Sequence, residues 1–401
     1  MSTGSTRRGF LRNLGLAAGA FGLSRLPGAK LVGDAEAADA VETPALFILN
    51  MIGGYNALFS SAQSFQASGN FGVTGNNILK LGTDLYLDKP TLGTLSPTAL
   101  ASVAAIGVNH GQSAHTAARA SLLFEGSTSR LIKMSGALGG NAPVRCVTMG
   151  DIMPEGTHTA VGDVSLQQVR DLRTTLAQIG VTTDPDAPAR DIAAYGIDAA
   201  QTMSRAKLVR NVRSGAGFTD SYPAAAAQLR DTVSVPSYST LLTQYGITGT
   251  GTAIGRNVPM QIMGAEIMIR AGANVVIANS TGWDSHGDNN GNEVRTKMNA
   301  EGITAALNAF TRRALATMPG RNVVTVIIGD FARSLPGSNH QPNLTATVFG
   351  KYVKLGTTGK VDADVNLPAG TPGVQGLWSY LAAVLKAPTT PFGANPHALV
   401  L

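Results

Sequence analysis

Short runs of apolar residues alternate with polar segments along the chain, and the period of each run assigns it to a strand or a helix. Val275 to Ala278 is an uninterrupted apolar run, the pattern of a strand covered on both faces, and it opens into the polar loop Trp283-Asp284-Ser285-His286. Arg321 to Ser334 repeats the design: a β-branched run ends in Asp330, with Arg333 after it. Pro44 to Met51 reads as a first strand closed by the turn Ile52-Gly53-Gly54-Tyr55-Asn56, and Val144 to Met149 as another. Residues 60 to 97, rich in Gly, Asn, Ser and Thr, read as a surface excursion. Ala99 to Ile106 fits a short helix or a strand. It leads to a helix over Thr116 to Phe124 with Ser113 and His115 at its N-terminus, where free N–H groups and the helix dipole favour an anion.

Residues 164 to 243 carry helical spacing at Leu166, Val169, Leu172 and Leu176, and Met260 to Arg270 reads as a helix. Val294, Met298, Leu307, Phe310, Ala314 and Met318 fall on one face of a long helix. That helix makes the strands before and after it a parallel β-α-β pair, read as neighbours that share one site. Thr345 to Thr357 is β-rich, and Val374 to Leu385 is a closing amphipathic helix. The predicted fold class is α/β: a single domain with a central, mostly parallel sheet covered by helices on both faces. In such sheets ligands bind at the carboxyl ends of strands, which is where Asp284, His286 and Asp330 fall.

Composition narrows the function. With 401 residues, 44% hydrophobic and 14% charged, the chain can bury a large core. The formal charge of +6 falls to +4 without the first forty residues, which leaves 26 basic against 22 acidic side chains. So mild an excess argues against nucleic acid as a partner. The single cysteine, Cys146, lies in an apolar run and reads as a buried structural thiol.

Thr6-Arg7-Arg8-Gly9-Phe10-Leu11-Arg12 has the form of a twin-arginine export motif, followed by an apolar stretch, Leu14 to Leu23, that is too short to span a bilayer. Ala35-Glu36-Ala37 and Ala38-Asp39-Ala40 offer cleavage sites. Residues 1 to 40 are therefore expected to be a signal peptide recognised by the twin-arginine machinery, and 41 to 401 the mature periplasmic or secreted domain. No other stretch is apolar and long enough for a membrane helix.

The order of motifs carries a resemblance. Gly53-Gly54-Tyr55-Asn56, Gln112-Ser113-Ala114-His115, Trp283-Asp284-Ser285-His286, Gly329-Asp330-Phe331-Ala332-Arg333-Ser334 and Asn339-His340-Gln341 follow one another after a twin-arginine leader. In this the chain resembles a secreted bacterial family, domain of unknown function fifteen-oh-one, which is similar in architecture to the alkaline phosphatase and sulfatase superfamily. The resemblance implies metal-assisted hydrolysis of a phosphate or sulfate ester, with a small-molecule ester or anionic ligand as partner. Asp284, His286, Asp330 and His340 would be ligands, joined weakly by Asn56. Ser113, with His115, would be nucleophile or anion-positioning group, and Arg333 the oxyanion partner. Asn56 and Asn339 stand where the family pattern has Asp. Two charges are thus missing, which suits one borderline cation such as zinc rather than a two-metal centre.

Other readings stay open. Asp284, Ser285 and Asp288 can be turn formers, Arg333 an ion-pair partner of Asp330, and His110 and His115 structural; His158 and His397 read as surface residues. Ser113, Asp330 and His340 also occur in the serine, acid, histidine order of α/β-hydrolases, although His115 replaces the last glycine of the elbow. A non-catalytic exported binding or structural protein is the remaining alternative.

Overall fold

The computed structural model describes residues 42–54, 75–142, 144–178, 238–249, 251–288, 291–316, 318, 320–334, 339–362 and 365–401. Among them, eight strands form one sheet: β1 (Thr43–Met51), β2 (Val103–Asn109), β3 (Cys146–Met149), β4 (Leu166–Val169), β5 (Val275–Ser280), β6 (Arg321–Gly329), β7 (Asn343–Phe349) and β8 (Gly356–Thr358). They lie side by side in the order β8-β2-β7-β6-β1-β5-β3-β4. All pairings are parallel except the two that β7 makes, antiparallel to β6 and to β2.

Side chains alternate faces along a strand, so β1 feeds two cores. Phe47 and Leu49 pack on one face against α3 (Val258–Arg270) and α5 (Ile303–Ala316), through Ile262, Met263, Leu307 and Phe310. Leu46 and Ile48 pack on the other face against α1 (His115–Leu123), α2 (Arg130–Leu138) and α6 (Val374–Val384), through Leu122, Leu131, Ile132 and Trp378. The fold is thus α/β, with helices on both faces of a mostly parallel sheet. No helix among the described residues is long and apolar enough to cross a membrane.

Several expectations are corrected. β5 and β6 are not neighbours, because β1 lies between them and pairs with both. The long helix after β5 is two helices, α4 (Asn292–Ala300) and α5, separated by Glu301 and Gly302; Gly302 adopts φ 70, a left-handed conformation that ends a helix. Leu166–Val169, placed in a mostly helical region, is the edge strand β4. Part of the supposed surface excursion is interior: Leu85–Asp88 forms a hairpin with Ile78–Leu81, and Leu85, Leu87 and Leu92 join the core. Ala99 to Ile106 is neither one helix nor one strand, since it divides between the short helix Pro97–Ala101 and β2. His397 is buried, its Nδ1 within 3.0 Å of the Thr358 hydroxyl, and His158 is half-buried with its Nδ1 2.7 Å from Ser129 Oγ. Cys146 is buried and its thiol is pushed up to about 12 by that burial, so it is an inert core group.

Candidate metal centre

Register brings the site together. Met51 of β1 lies level with Ser280 of β5 and with Gly329 of β6, so three parallel strands end on one line. The segments leaving them carry Gly53-Gly54, Asp284-Ser285-His286 and Asp330. β2 ends at the same edge and leads into His115, the first residue of α1. β7 begins there because it runs the opposite way: its first residue, Asn343, pairs with Asn109 at the end of β2. The segment feeding β7 therefore delivers His340, held by a bridge to Arg333 and by Gln341 N donating to Ala332 O at 3.0 Å.

The glycines let the loops close. Gly53 and Gly54 adopt φ 120 and 78, and a Cβ on Gly53 would lie 2.4 Å from Asp284 N. Their carbonyls accept from Arg333, Gly53 O from Nη2 at 2.6 Å and Gly54 O from Nε at 3.2 Å. Trp283 anchors the next loop: it is buried, and its Nε1 donates to Ser280 Oγ at 2.9 Å. Asp284 then projects its carboxylate from the loop, where Oδ1 accepts a hydrogen bond from Arg333 Nη2. That carboxylate faces other side chains, unlike a turn former. Asp288 does have a local role, accepting from Val294 N at 3.3 Å in the first turn of α4.

Three imidazoles surround Asp284. His115 Nε2 lies 3.6 Å from its Oδ2, while His286 Nε2 and His340 Nε2 lie 3.1 and 3.9 Å from its Oδ1. His286 Nε2 and His340 Nε2 are 3.1 Å apart. Phe331, fully buried, backs the group, with ring centroids 4.1 Å from His340 and 4.7 Å from His115. One ligand atom each from His115, Asp284 and His340 lies within 4.8 Å of the other two, the spacing of a group able to hold a cation.

The tautomers follow from what each ring faces. His340 Nδ1 is 2.8 Å from the Ser113 carbonyl, and His115 Nδ1 is 2.7 Å from Asp330 Oδ2. Both acceptors lack hydrogen, so each ring carries a proton on Nδ1; in the neutral imidazole that leaves the lone pair on Nε2, the atom nearer Asp284. An oxygen behind a histidine is the usual support of a metal ligand. Burial pushes the His340 imidazole below its ordinary value; the Ser113 carbonyl opposes this, and the charges of Arg333, His115 and His286 reinforce it. Burial would raise the Asp284 carboxyl, but the hydrogen bond from Arg333 and the charges of Arg333, His115 and His286 outweigh it and hold the group below the usual carboxylate range.

The predicted residues distribute unevenly around this centre. Asp284, His286 and His340 meet there, as does His115. Asp330 reaches it through His115, and its Oδ2 also accepts from Gly53 N at 3.1 Å and Arg119 Nη1 at 2.9 Å. Arg333 is fully buried and paired with Asp284. Ser113 is exposed and contributes its carbonyl to His340. Asn339 is exposed, its N–H 3.1 Å from Ser334 Oγ, and Asn56 lies outside the described residues. The serine-acid-histidine relay is not assembled, because Asp330 bonds His115 whereas His340 turns its Nδ1 to a backbone carbonyl. Sequence reasoning missed Arg119, Glu155 and Phe331. Arg119 lies one helical turn after His115, and that i,i+4 spacing was the available signal.

No protein-family model matches the chain, and no curated protein matches it.

Proposed function

We propose that the chain binds one divalent cation, zinc, through His115 Nε2, Asp284 and His340 Nε2, with His286 as the exposed fourth donor, and acts on a phosphate or sulfate ester. The observation that carries this is the pair of supported imidazoles, whose Nε2 atoms share one carboxylate. Nitrogen donors with a single carboxylate suit a borderline cation better than magnesium or calcium. When bound, such a cation supplies Lewis-acid charge to an ester oxygen. The chain's own residues hold that position: Ser113 O and Asp330 fix the rings, Arg333 fixes Asp284, and Phe331 excludes water from behind. Ser113, exposed, is the candidate anion-positioning group or nucleophile.

This function rests on a mature chain exported by the twin-arginine route, a single alkaline-phosphatase-like domain related to the secreted family named above. The order of five motifs supports that relation. Hydrolysis is expected to be slow, with fewer carboxylates at the centre than a two-metal site uses.

A second reading, a non-catalytic exported scaffold, is favoured by one contact: Arg333 already neutralises Asp284. Elemental analysis together with turnover of aryl phosphate and aryl sulfate esters decides between them. One zinc per chain, lost in His115→Ala and in His340→Ala along with slow turnover, is the expected result. Two tightly held metals with fast turnover would overturn the single-cation assignment, and no zinc at all would leave the scaffold.

A further inference from the structure

α1 presents His115 and Arg119 one turn apart on the same face, and both donate to a single atom, Asp330 Oδ2, at 2.7 and 2.9 Å. Gly53 N–H reaches that same oxygen at 3.1 Å, while Asp330 Oδ1, equally buried, has no hydrogen-bond partner. Asp330 is thus a wholly buried carboxylate whose hydrogen bonds fall on one oxygen, one of them from the Arg119 guanidinium. Arg119 is itself gripped from behind, since Nε and Nη2 both donate to Glu155 Oε2 at 3.1 and 3.0 Å. Glu155 lies in the loop segment between β3 and β4, so three parts of the chain meet at one guanidinium.

We infer that Arg119 is a positioning residue for the centre. Held by Glu155, it fixes which way the Asp330 carboxylate faces, and Asp330 in turn fixes His115 with Nδ1–H inward and Nε2 toward Asp284. The inference rests on the single-cation reading for its consequence on zinc, but not for its consequence on the ring. Without Arg119, Asp330 Oδ2 keeps only the His115 and Gly53 donors, the orphaned Oδ1 can turn toward either of them, and the imidazole loses its defined setting. A guanidinium is suited to the task because its planar fork addresses both carboxylates at once; an ammonium keeps the charge but not the fork.

Two readouts test this on the full chain. The first is zinc affinity by competition with a chromophoric chelator; the second is the tautomer of His115 in metal-free protein, from imidazole nitrogen–proton correlation spectra. Arg119→Gln is expected to weaken zinc binding by about 10–100-fold, the range for loss of a group behind a metal ligand, and to convert His115 from Nδ1–H alone to a mixture of both tautomers. Arg119→Lys is expected to recover part of each effect, and Glu155→Gln to show a smaller loss of both. A merely structural Arg119 would lower thermal stability while leaving the tautomer unchanged. Unchanged zinc affinity with His115 still in the Nδ1–H form in Arg119→Gln would overturn the inference. If wild-type protein takes up no zinc, the cation reading fails and the tautomer comparison alone decides. If Arg119→Gln does not fold, Arg119→Lys and Glu155→Gln carry the comparison, and wild-type behaviour in both overturns it.

Discussion

Asp284 serves two claims at once. Its Oδ1 is hydrogen-bonded to Arg333 and faces two imidazoles, whereas its Oδ2 faces only His115. A cation at the centre therefore meets a carboxylate whose charge is partly spent on a buried arginine, which favours weak, exchangeable binding. These residue types at strand ends were legible from the sequence, because acids and histidines after an apolar run stand out. Their division of labour was not: nothing in the text of the chain says that Ser113 would act through its carbonyl, or that Asp330 would stand behind His115. Away from the centre, His110 sets a pH dependence. Burial takes its imidazole down to about 4, against a raising contribution from the Asn343 backbone. The unfolded chain binds a proton near 6.5 and the folded chain only near 4, so this contribution to stability is full above pH 6.5 and is lost as pH falls toward 4. His158, His340 and His397 are shifted in the same direction, each with burial as the leading cause. Urea unfolding at pH 7 and pH 5 should show a loss of about 2 kcal/mol from His110 alone. His110→Gln should lose correspondingly less between the two pH values; an identical loss in wild type and variant would refute the assignment.

At the scale of elements, the turn after β1 decides whether the strand-end loops can meet. Gly53 takes φ 120, and a methyl there would press on the Asp284 and Trp283 backbone at 2.4 and 2.7 Å. No flexible side chain can give way at those atoms. Gly53→Ala is expected to cost about 1–3 kcal/mol in unfolding free energy and to weaken zinc binding, since the loop bearing Asp284 must withdraw. Calorimetry and chelator competition would show both, and a variant with wild-type melting temperature and wild-type zinc affinity would contradict this packing. The same local physics explains which elements could be read. β1, β5 and β6 have continuous apolar runs bounded by turns, and they were found to within a few residues. β4 has the sequence Leu-Gln-Gln-Val at a half-exposed sheet edge, where two polar residues erase the apolar signal. The break before α5 was hidden because the apolar face continues across it from Met298 to Ile303, and only Gly302 marks the turn. The hairpin Ile78–Leu81 with Leu85–Asp88 lies in a Gly- and Thr-rich region, and its burial comes from packing that no local pattern encodes.

On the scale of the whole molecule, the α/β class and the parallel sheet followed from alternating strands and helices, but the strand order did not. Nothing local tells β1 to insert between two strands that a helical crossover seemed to join directly. The export reading also belongs to this scale. Intact mass of the exported protein should place its first residue near Ala38 or Val41, and a mass that includes Met1 would refute cleavage. The central position of β1 has a consequence in time. It is the first described strand to leave the ribosome, yet Asn50 meets Asn279 229 residues later and Gly53 meets Asp330 277 residues later. At about 5–20 residues per second, roughly 14–55 s of synthesis separate the strand from its last partner. Until β5 is made Thr43–Met51, apolar toward both faces, has neither neighbour to cover its edges, and until β6 is made it has only one. The nascent chain must keep its own centre soluble until nearly all of it has been made.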